Sequence, residues 1–304
     1  MLAMGNILLF YQYTDIADPK KLVDKQHALC LELGLTGRIL IAQEGINGTV
    51  GGTQEATSAY IDHMRENPIF ANVDFKTSPG DASYFPKLKV LHRDTIVNLG
   101  ISPENASADN SGTHLSPDAW HEFMKKNDDN VVILDARNTY ESRIGAFEGA
   151  IKPDIGHFRD LPEFIKNNPD LFQNKDVLMY CTGGIRCERA SAYLKEQDIA
   201  NNVYQLSGGI HRYAEQYDDG FFRGKNYVFD KRISQRITND VLTTCDTCEA
   251  SCDMYTNCIN ALCSKHCILC ANCLHAYSNT CSQACFDLIQ SGDTQYRTEV
   301  RAAE

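Results

Sequence analysis

Ten of the chain's 13 cysteines fall between Cys245 and Cys285, and only Cys30, Cys181 and Cys187 lie elsewhere. A segment with that many thiols and few large apolar residues cannot raise a hydrophobic core alone, so some other interaction must supply its folding energy. No apolar run approaches the roughly 18 residues of a membrane span, so no membrane partner is expected. No basic segment precedes the run Ile7–Tyr11, which reads as a first strand and not as a signal peptide. A reducing, cytoplasmic setting follows, and clustered thiols there mean metal or redox chemistry rather than disulfides.

The spacing within the cluster is informative. Cys245/Cys248 and Cys270/Cys273 are two C-x2-C pairs, each able to give two thiolates from one knuckle, as tetrahedral zinc requires. Cys252, Cys258, Cys263, Cys281 and Cys285 can supply a second four-ligand site with one thiol left over, and His266 and His275 are further candidates. One or two structural zinc ions are expected. An iron–sulfur site or a metal-free redox cluster is the alternative. Spacing alone does not assign the pairing.

At roughly 100–200 residues per domain, the chain's 304 residues make two or three domains. Residues 1–100 read as β-α-β-β-α-β, the split βαβ or ferredoxin-like pattern. Its strands are Ile7–Tyr13, a hairpin over 37–51 turning at Gly45, and Val73–Thr77, with helices over 20–33 and from a Thr53 cap to Pro68. Short strands near 88–91 and 95–99 complete this domain. Residues 101–112, rich in Ser, Asn, Pro and Gly, read as a linker. Residues 113–224 form an α/β domain with a parallel sheet, because Val131–Leu134, Val177–Tyr180 and Asn202–Leu206 are apolar runs separated by helical stretches. Residues 225–286 hold a connector and the cysteine module, and 287–304 a flexible tail.

The second domain carries the clearest chemistry. Its strand Val177–Tyr180 runs into Cys181-Thr182-Gly183-Gly184-Ile185-Arg186, and a helix follows. A glycine loop there can turn its amides inward as an anion nest, and the helix N-terminus adds positive partial charge. With the Arg186 charge, both favour thiolate over thiol at Cys181. Cys187, at the helix start, either resolves an oxidised Cys181 or simply packs.

Residues 131–151, VVILDARNTYESRIGAFEGAI, resemble the first half of a rhodanese domain. CTGGIRCERASAYL (181–194) resembles its active loop, and YQLSGGIHRY (204–213) its closing Gly-Gly segment. The resemblance implies that Cys181 is a nucleophile able to carry a persulfide, with Asp135 and Arg137 beneath the loop. Phosphatases of the same fold carry arginine six positions after the cysteine. Here that position is Cys187 and the arginine comes one residue early, which disfavours phosphate-ester hydrolysis.

EGINGTV (44–50), CTGGIRCERA and CDTCEASCDMYTNCINALC (245–263) occur in this order in the bacterial rhodanese-containing tRNA uridine 5-hydroxylases, which the chain resembles over about residues 7–285. That family commonly has His where this chain has Asp246, and an apolar residue at Cys267, which makes Cys267 a spare thiol. The resemblance implies an oxidoreductase of monooxygenase type that makes 5-hydroxyuridine at wobble position 34 of tRNA. Dioxygen is its co-substrate, and the sequence names no electron donor. Cys181 would add to uracil C6, and Arg186 with the amides of Gly183 and Gly184 would hold negative charge. The competing readings are a sulfurtransferase that passes on a persulfide from Cys181, and a non-catalytic scaffold that binds RNA or protein.

The net charge of −11 excludes a whole-chain cationic footprint for nucleic acid. The only dense basic run is Arg223, Lys225, Lys231, Arg232 and Arg236, interleaved with Phe221, Phe222, Tyr227 and Phe229, which could stack unpaired bases. It is the expected tRNA contact, with Arg38, Lys87, Lys89 and Arg93 as the alternative. The oligomeric state is not legible.

Overall fold

A computed structural model of the chain describes residues 5–263 and 265–296. The chain divides into two compact units, Met1–Thr139 with Gly149–Tyr217, and Tyr140–Glu148 with Asp218–Glu304.

The first unit opens with β1 (Gly5–Tyr13), α1 (Pro19–Glu32), β2 (Thr36–Ala42), β3 (Gly45–Thr53), α2 (Gln54–Glu66), β4 (Lys76–Gly80) and β5 (Leu88–His92). The sheet order is β4-β1-β3-β2-β5. β3 runs antiparallel to both β1 and β2, β4 is antiparallel to β1, and β5 adds parallel to β2. This is the ferredoxin-like arrangement with one strand appended. Asp18 caps α1 through the Lys21 amide at 3.0 Å, and Thr53 caps α2 through Ala56 at 3.2 Å. The helices bury Leu8, Phe10, Ile39, Ile41, Val50, Tyr60 and Met64 beneath one face of the sheet. Strand alternation sends Leu9, Tyr11 and Tyr13 to the other face.

Two expectations need correction here. The strand expected at 73–77 begins only at Lys76, because Val73 and Phe75 turn into the core and the Val73 amide closes on the Phe70 carbonyl. No strand forms over 95–99. The Ile96 amide donates to Glu44 Oε1 at 2.8 Å, its carbonyl accepts from Asn47 Nδ2 at 3.0 Å, and the Val97 carbonyl accepts from Arg189.

The chain continues with β6 (Thr113–Leu115), α3 (Pro117–Lys126), β7 (Val131–Asp135), α4 (Thr139–Ser142), β8 (Gly145–Phe147), α5 (Leu161–Asn167), β9 (Asp176–Tyr180), α6 (Ile185–Glu196), β10 (Asn202–Leu206) and α7 (Gly209–Gln216). β6, β10, β9 and β7 form a parallel sheet in that order, and the continuous apolar runs are β10, β9 and β7. Residues 101–112 are held against α6 along most of their length. Arg189, fully buried, donates to the carbonyls of Ala106 at 3.1 Å and Ile101 at 2.6 Å, and Ser191 Oγ accepts the Gly112 amide at 2.7 Å.

The second unit contains β8, β11 (Phe222–Tyr227) and β12 (Ser234–Arg236) as one small sheet, then β13 (Tyr255–Asn257), β14 (His266–Ile268), α8 (Ala271–Ala276) and α9 (Gln283–Gln290). Ile144, Tyr227, Tyr255 and Ile268 pack as one cluster in it, and Cys245, Cys267, Leu269 and Cys273 as another. The stretch read as a tail from 287 carries the end of α9 and a bridge from Asn260 to Tyr296; residues 297–304 lie outside the described residues.

Arg189 ties the 101–112 segment to the parallel-sheet domain. Arg189→Met should cost about 2–4 kcal/mol, because buried carbonyls lose their donors. The loss is measurable by urea unfolding, and limited proteolysis should then cut first within 101–112.

Candidate functional site

β9 is buried along its apolar length and delivers Cys181 into a fully buried position. The turn that follows needs glycine at 184, and the start of α7, which packs on it, needs glycine at 209. Gly184 has φ +105°, and a side chain there would begin 2.7 Å from the Tyr11 hydroxyl. Gly209 has φ +64°, and a side chain there would begin 2.5 Å from the Cys181 carbonyl oxygen. The Gly-Gly segment therefore closes directly on the loop. The Ile210 amide donates to the Cys181 carbonyl at 3.0 Å, and the His211 amide to that of Thr182 at 3.1 Å.

The Cys181 sulfur sits among donors. The Gly184 amide donates to Sγ at 3.1 Å, and the Arg186 amide and the Cys187 thiol also donate to it. Burial alone would raise the Cys181 pKa. The Cys187 hydrogen bond, the Arg186 guanidinium and the two amides override burial and bring it down to about 5. Cys187 moves the other way: burial, and then its bond to the Cys181 thiolate, push its thiol well up. The sulfurs thus form a thiolate with a thiol donor. Arg186 lies in contact with the loop, its Nη2 3.4 Å from Thr182 Oγ1.

Asp135 and Arg137 lie under the strand end. Arg137 Nε and Nη2 grip Asp135 at 2.9 and 2.6 Å, and the Tyr180 hydroxyl donates to Asp135 Oδ2 at 2.7 Å. Both charged groups are fully buried. They brace Tyr180, the residue before Cys181.

The outer face of the first sheet covers this loop, and motif reading missed the residues that do it. Leu9 lies 3.0 Å from where a Gly183 side chain would begin. The Tyr11 hydroxyl donates to Glu188 Oε1 at 2.9 Å. Glu188, in the first turn of α6, also meets His114 Nε2 at 3.0 Å and Gln205 Nε2 at 2.8 Å. Burial would raise the Glu188 pKa, but the bonds from His114, Gln205 and Tyr11 pull it below the ordinary range. Lys76, only 1% exposed, pairs with Asp74 at 2.8 Å and lies 5.2 Å from the Tyr11 ring centroid. Burial lowers its pKa against the opposing pull of Asp74. The one sequence signal for Tyr11 and Lys76 is strand alternation, which sends them to the face that α1 and α2 leave uncovered.

In the second unit, Cys245, Cys248, Cys270 and Cys273 converge, as do Cys258, Cys263, Cys281 and Cys285, with the sulfurs of each set within 4.8 Å of one another. Either group could hold a metal ion. A tetrahedron with metal–sulfur bonds of about 2.3 Å has sulfur–sulfur edges near 3.8 Å. Cys248–Cys270, Cys263–Cys281 and Cys281–Cys285 stand at 3.6, 3.8 and 3.6 Å. Amides support both sets, from Cys270 to Cys245 Sγ at 3.4 Å and from Cys281 to Cys258 Sγ at 3.3 Å. Cys252, counted among the metal residues, falls outside both sets and accepts from the Met254 amide instead, and Cys267 is buried against the Thr256 carbonyl. His266 is no ligand: it stacks on Tyr255 with centroids 4.2 Å apart, and burial pushes its pKa down to about 4. His275 joins neither set.

The basic run is largely neutralised. Arg223 pairs with Glu148 at 2.6 Å and Asp219 at 2.7 Å, Lys225 and Arg236 share Asp253 at 2.8 and 2.5 Å, and Arg232 holds Asp230 at 2.5 Å. Among the described residues Lys231 alone of the five has no such partner. Phe222 and Tyr227 are core residues, and only Phe229 is openly exposed. Asp219 and Asp230 are local partners, whereas Glu148 and Asp253 come from farther along the chain, where counting charges within the segment does not reach.

The chain matches the UPF0176 acylphosphatase-like domain over residues 5–96, the rhodanese-like domain over 119–216 and the rhodanese C-terminal domain over 223–286. It is 40% identical over 284 residues to a tRNA uridine(34) hydroxylase of Bacillus pumilus, covering 92% of this chain and 87% of the relative. It is 42% identical over 282 residues to one of Cytophaga hutchinsonii, covering 92% and 89%. It is 41% identical over 287 residues to one of Corynebacterium urealyticum, covering 92% and 96%.

The thiolate has a thermodynamic signature. Its folded pKa, about 5, lies below the ordinary 9.0. Between those values the folded state binds fewer protons than the unfolded one, so stability rises with pH. The contribution is full above the unfolded value and is lost as pH falls through the folded one. The stability difference between the wild type and Cys181→Ala should therefore widen as pH rises from about 5 toward 9, read by urea unfolding across that range. A pH-independent difference would overturn the thiolate.

Proposed function

We propose that this chain, which belongs to the tRNA uridine(34) hydroxylase family, hydroxylates the uridine at position 34 of tRNA at C5, with Cys181 as its nucleophile. The observation that carries the reading is a buried sulfur held by two amides, a thiol and a guanidinium, which make it a thiolate at neutral pH. Uracil C5 gains electron density when a nucleophile adds to C6. The Cys181 thiolate forms that carbon–sulfur bond, and the electron pair of the C5–C6 double bond moves toward C5 and O4. Arg186 and the loop amides stabilise the negative charge that develops. Oxygen is then installed at C5, the C5 proton is lost, and the thiolate leaves from C6 to restore the double bond. Dioxygen is the oxygen source and the class is monooxygenase: one atom goes to C5, and the other leaves as water with two protons and two electrons from an external two-electron reductant.

The remaining groups have supporting roles. Cys187 donates to the thiolate and keeps it charged at rest. Asp135 and Arg137 hold the strand end. The two four-cysteine sets hold structural zinc, each thiolate set matching that ion's tetrahedral preference. The setting is cytoplasmic; no helix among the described residues is long and apolar enough to cross a membrane. The tRNA backbone runs over Arg38, Lys87, Lys89 and Arg93, none of which has an ion-pair partner among the described residues. Arg38 and Lys89 are register partners in β2 and β5, in line with Thr49 and Leu9 across the sheet.

Mass spectrometry of tRNA from a strain lacking the gene tests the function. Loss of 5-hydroxyuridine and its derivatives is expected, whereas loss of a thiolated base would install the sulfurtransferase reading. Complementation with Cys181→Ser should fall at least about a hundredfold short, because an alcohol is a poor nucleophile at neutral pH.

The metal sets make a separate prediction. Elemental analysis should give two zinc ions per chain. Chelation should open residues 240–296 to protease while Met1–Thr139 with Gly149–Tyr217 stays resistant. An iron–sulfur absorbance in protein prepared without air would replace zinc.

A further inference from the structure

Placing one atom of dioxygen on C5 requires two electrons, and a second sulfur stands beside Cys181. The first unit has three thiols, Cys30, Cys181 and Cys187. Cys30 lies in the core of the first sheet, whereas Cys181 and Cys187 share one cluster, with neither exposed. Gly184 fixes both. Its amide donates to Cys181 Sγ at 3.1 Å, and its carbonyl accepts from the Cys187 amide at 3.0 Å. The Cys187 thiol donates to the Cys181 sulfur. A hydrogen bond alone does not call for sulfur at 187, since a thiol is a weaker donor than a hydroxyl. What sulfur adds is the capacity to be oxidised and then to join its neighbour as a disulfide.

We propose that Cys187 is a second catalytic residue, which supplies the proton and accepts the outer oxygen, so that each turnover ends in a Cys181–Cys187 disulfide that a dithiol reductant reopens. The proposal rests on the hydroxylase reading and names the source of its electrons. Cys181 first bonds to C6, and the electron pair of the C5–C6 double bond moves to C5 and O4. That carbanion adds dioxygen, and the outer oxygen takes the Cys187 proton, leaving a C5 hydroperoxide and a Cys187 thiolate. The Cys187 sulfur then attacks the outer oxygen. The sulfur–oxygen bond forms, the oxygen–oxygen bond breaks, and its electron pair stays on the oxygen at C5. Loss of the C5 proton restores the C5–C6 double bond, expels Cys181 as thiolate and protonates the new hydroxyl. Cys181 finally attacks the Cys187 sulfenic acid, and hydroxide leaves to become water. Two thiols are oxidised, one oxygen atom is on the base, and the other is in water. The resting pair suits this order. Burial, and then the neighbouring thiolate, keep Cys187 protonated against the pull of Arg186. Bonding to C6 removes the charge of that thiolate, which frees the Cys187 proton at the step that uses it.

The test uses the full-length protein, reduced and then freed of reductant without air, mixed with tRNA bearing uridine or cytidine at position 34 and exposed to oxygen. Product is counted as 5-hydroxyuridine by mass spectrometry. Trypsin cuts after Arg186, so the disulfide appears as Asp176–Arg186 joined to Cys187–Arg189. With uridine the wild type should make one product per chain and stop, with the disulfide in equal amount, and dithiothreitol should restart it. With cytidine the pair should stay reduced. Cys187→Ser keeps a hydrogen-bond donor beside the thiolate, so a merely supporting role predicts near-normal product. The proposal predicts a fall of about a hundredfold or more, since serine gives the proton poorly and the electrons not at all. Its thermal midpoint checks that it folds, and the wild-type count is independent of any variant. Product beyond one per chain without reductant, product formed while the pair stays reduced, or a disulfide that forms equally fast with cytidine overturns the proposal and leaves the hydroxylase reading standing. No 5-hydroxyuridine from the wild type even with dithiothreitol and oxygen sinks that reading, and the proposal with it.

Discussion

A thiolate that water never touches is the interaction on which the first unit depends. Removing a charge from water costs several kcal/mol unless polar partners replace the lost hydration. Around Cys181 those partners are fixed by backbone: amides of Gly184 and Arg186, the thiol of Cys187, and the Arg186 guanidinium. None can be supplied without the sharp turn from β9 into α6, and the turn in turn requires glycine at 184 and the close approach of Gly209. The parallel sheet, the buried Asp135–Arg137 pair and the closing α7 can all be read as the means of holding one sulfur in a preorganised anion site.

The same economy explains why the first sheet faces the loop. A rhodanese-like loop alone would leave Cys181 open on one side. Here Leu9 and Tyr11 close it, and Glu188 joins Tyr11 to His114 and Gln205 in one connected polar network. Each member is satisfied by another, so burial of a carboxylate is tolerated. The Tyr11–Glu188 bond links the two α/β elements of this unit across 177 positions of sequence. A reaction that must exclude water from a reactive base gains from such closure.

What could be read from sequence was local. The Cys-Thr-Gly-Gly-Ile-Arg loop announced itself, because strand, glycines and helix lie within a few residues of the thiol. The split βαβ order, the cap at Thr53 and the C-x2-C knuckles were legible for the same reason. The rest depended on partners far along the chain. Lys225 and Arg236 look free until Asp253 is placed beside them, and Tyr11 looks like an ordinary strand residue until Glu188 arrives. The segment 101–112 has linker composition, yet Arg189 and Ser191 turn its backbone groups into fixed contacts. Composition measures how little apolar surface a segment can bury; it is blind to hydrogen bonds made to its carbonyls.

The second unit solves the folding problem differently. Its described strands beyond β11 are three residues long, and its apolar cluster is small. Segments so short bury too little to offset the entropy of ordering them. The two four-cysteine sets fall where the chain most lacks core, each gathered from two stretches at least 18 residues apart. A metal ion held by either set would close a loop of that length and so remove freedom from the unfolded chain. Cys252 and Cys267 show that the selection is geometric and not compositional. Both lie amid the other thiols, yet their sulfurs turn to a backbone amide and a backbone carbonyl instead, so eight thiols, and not ten, form the two sets.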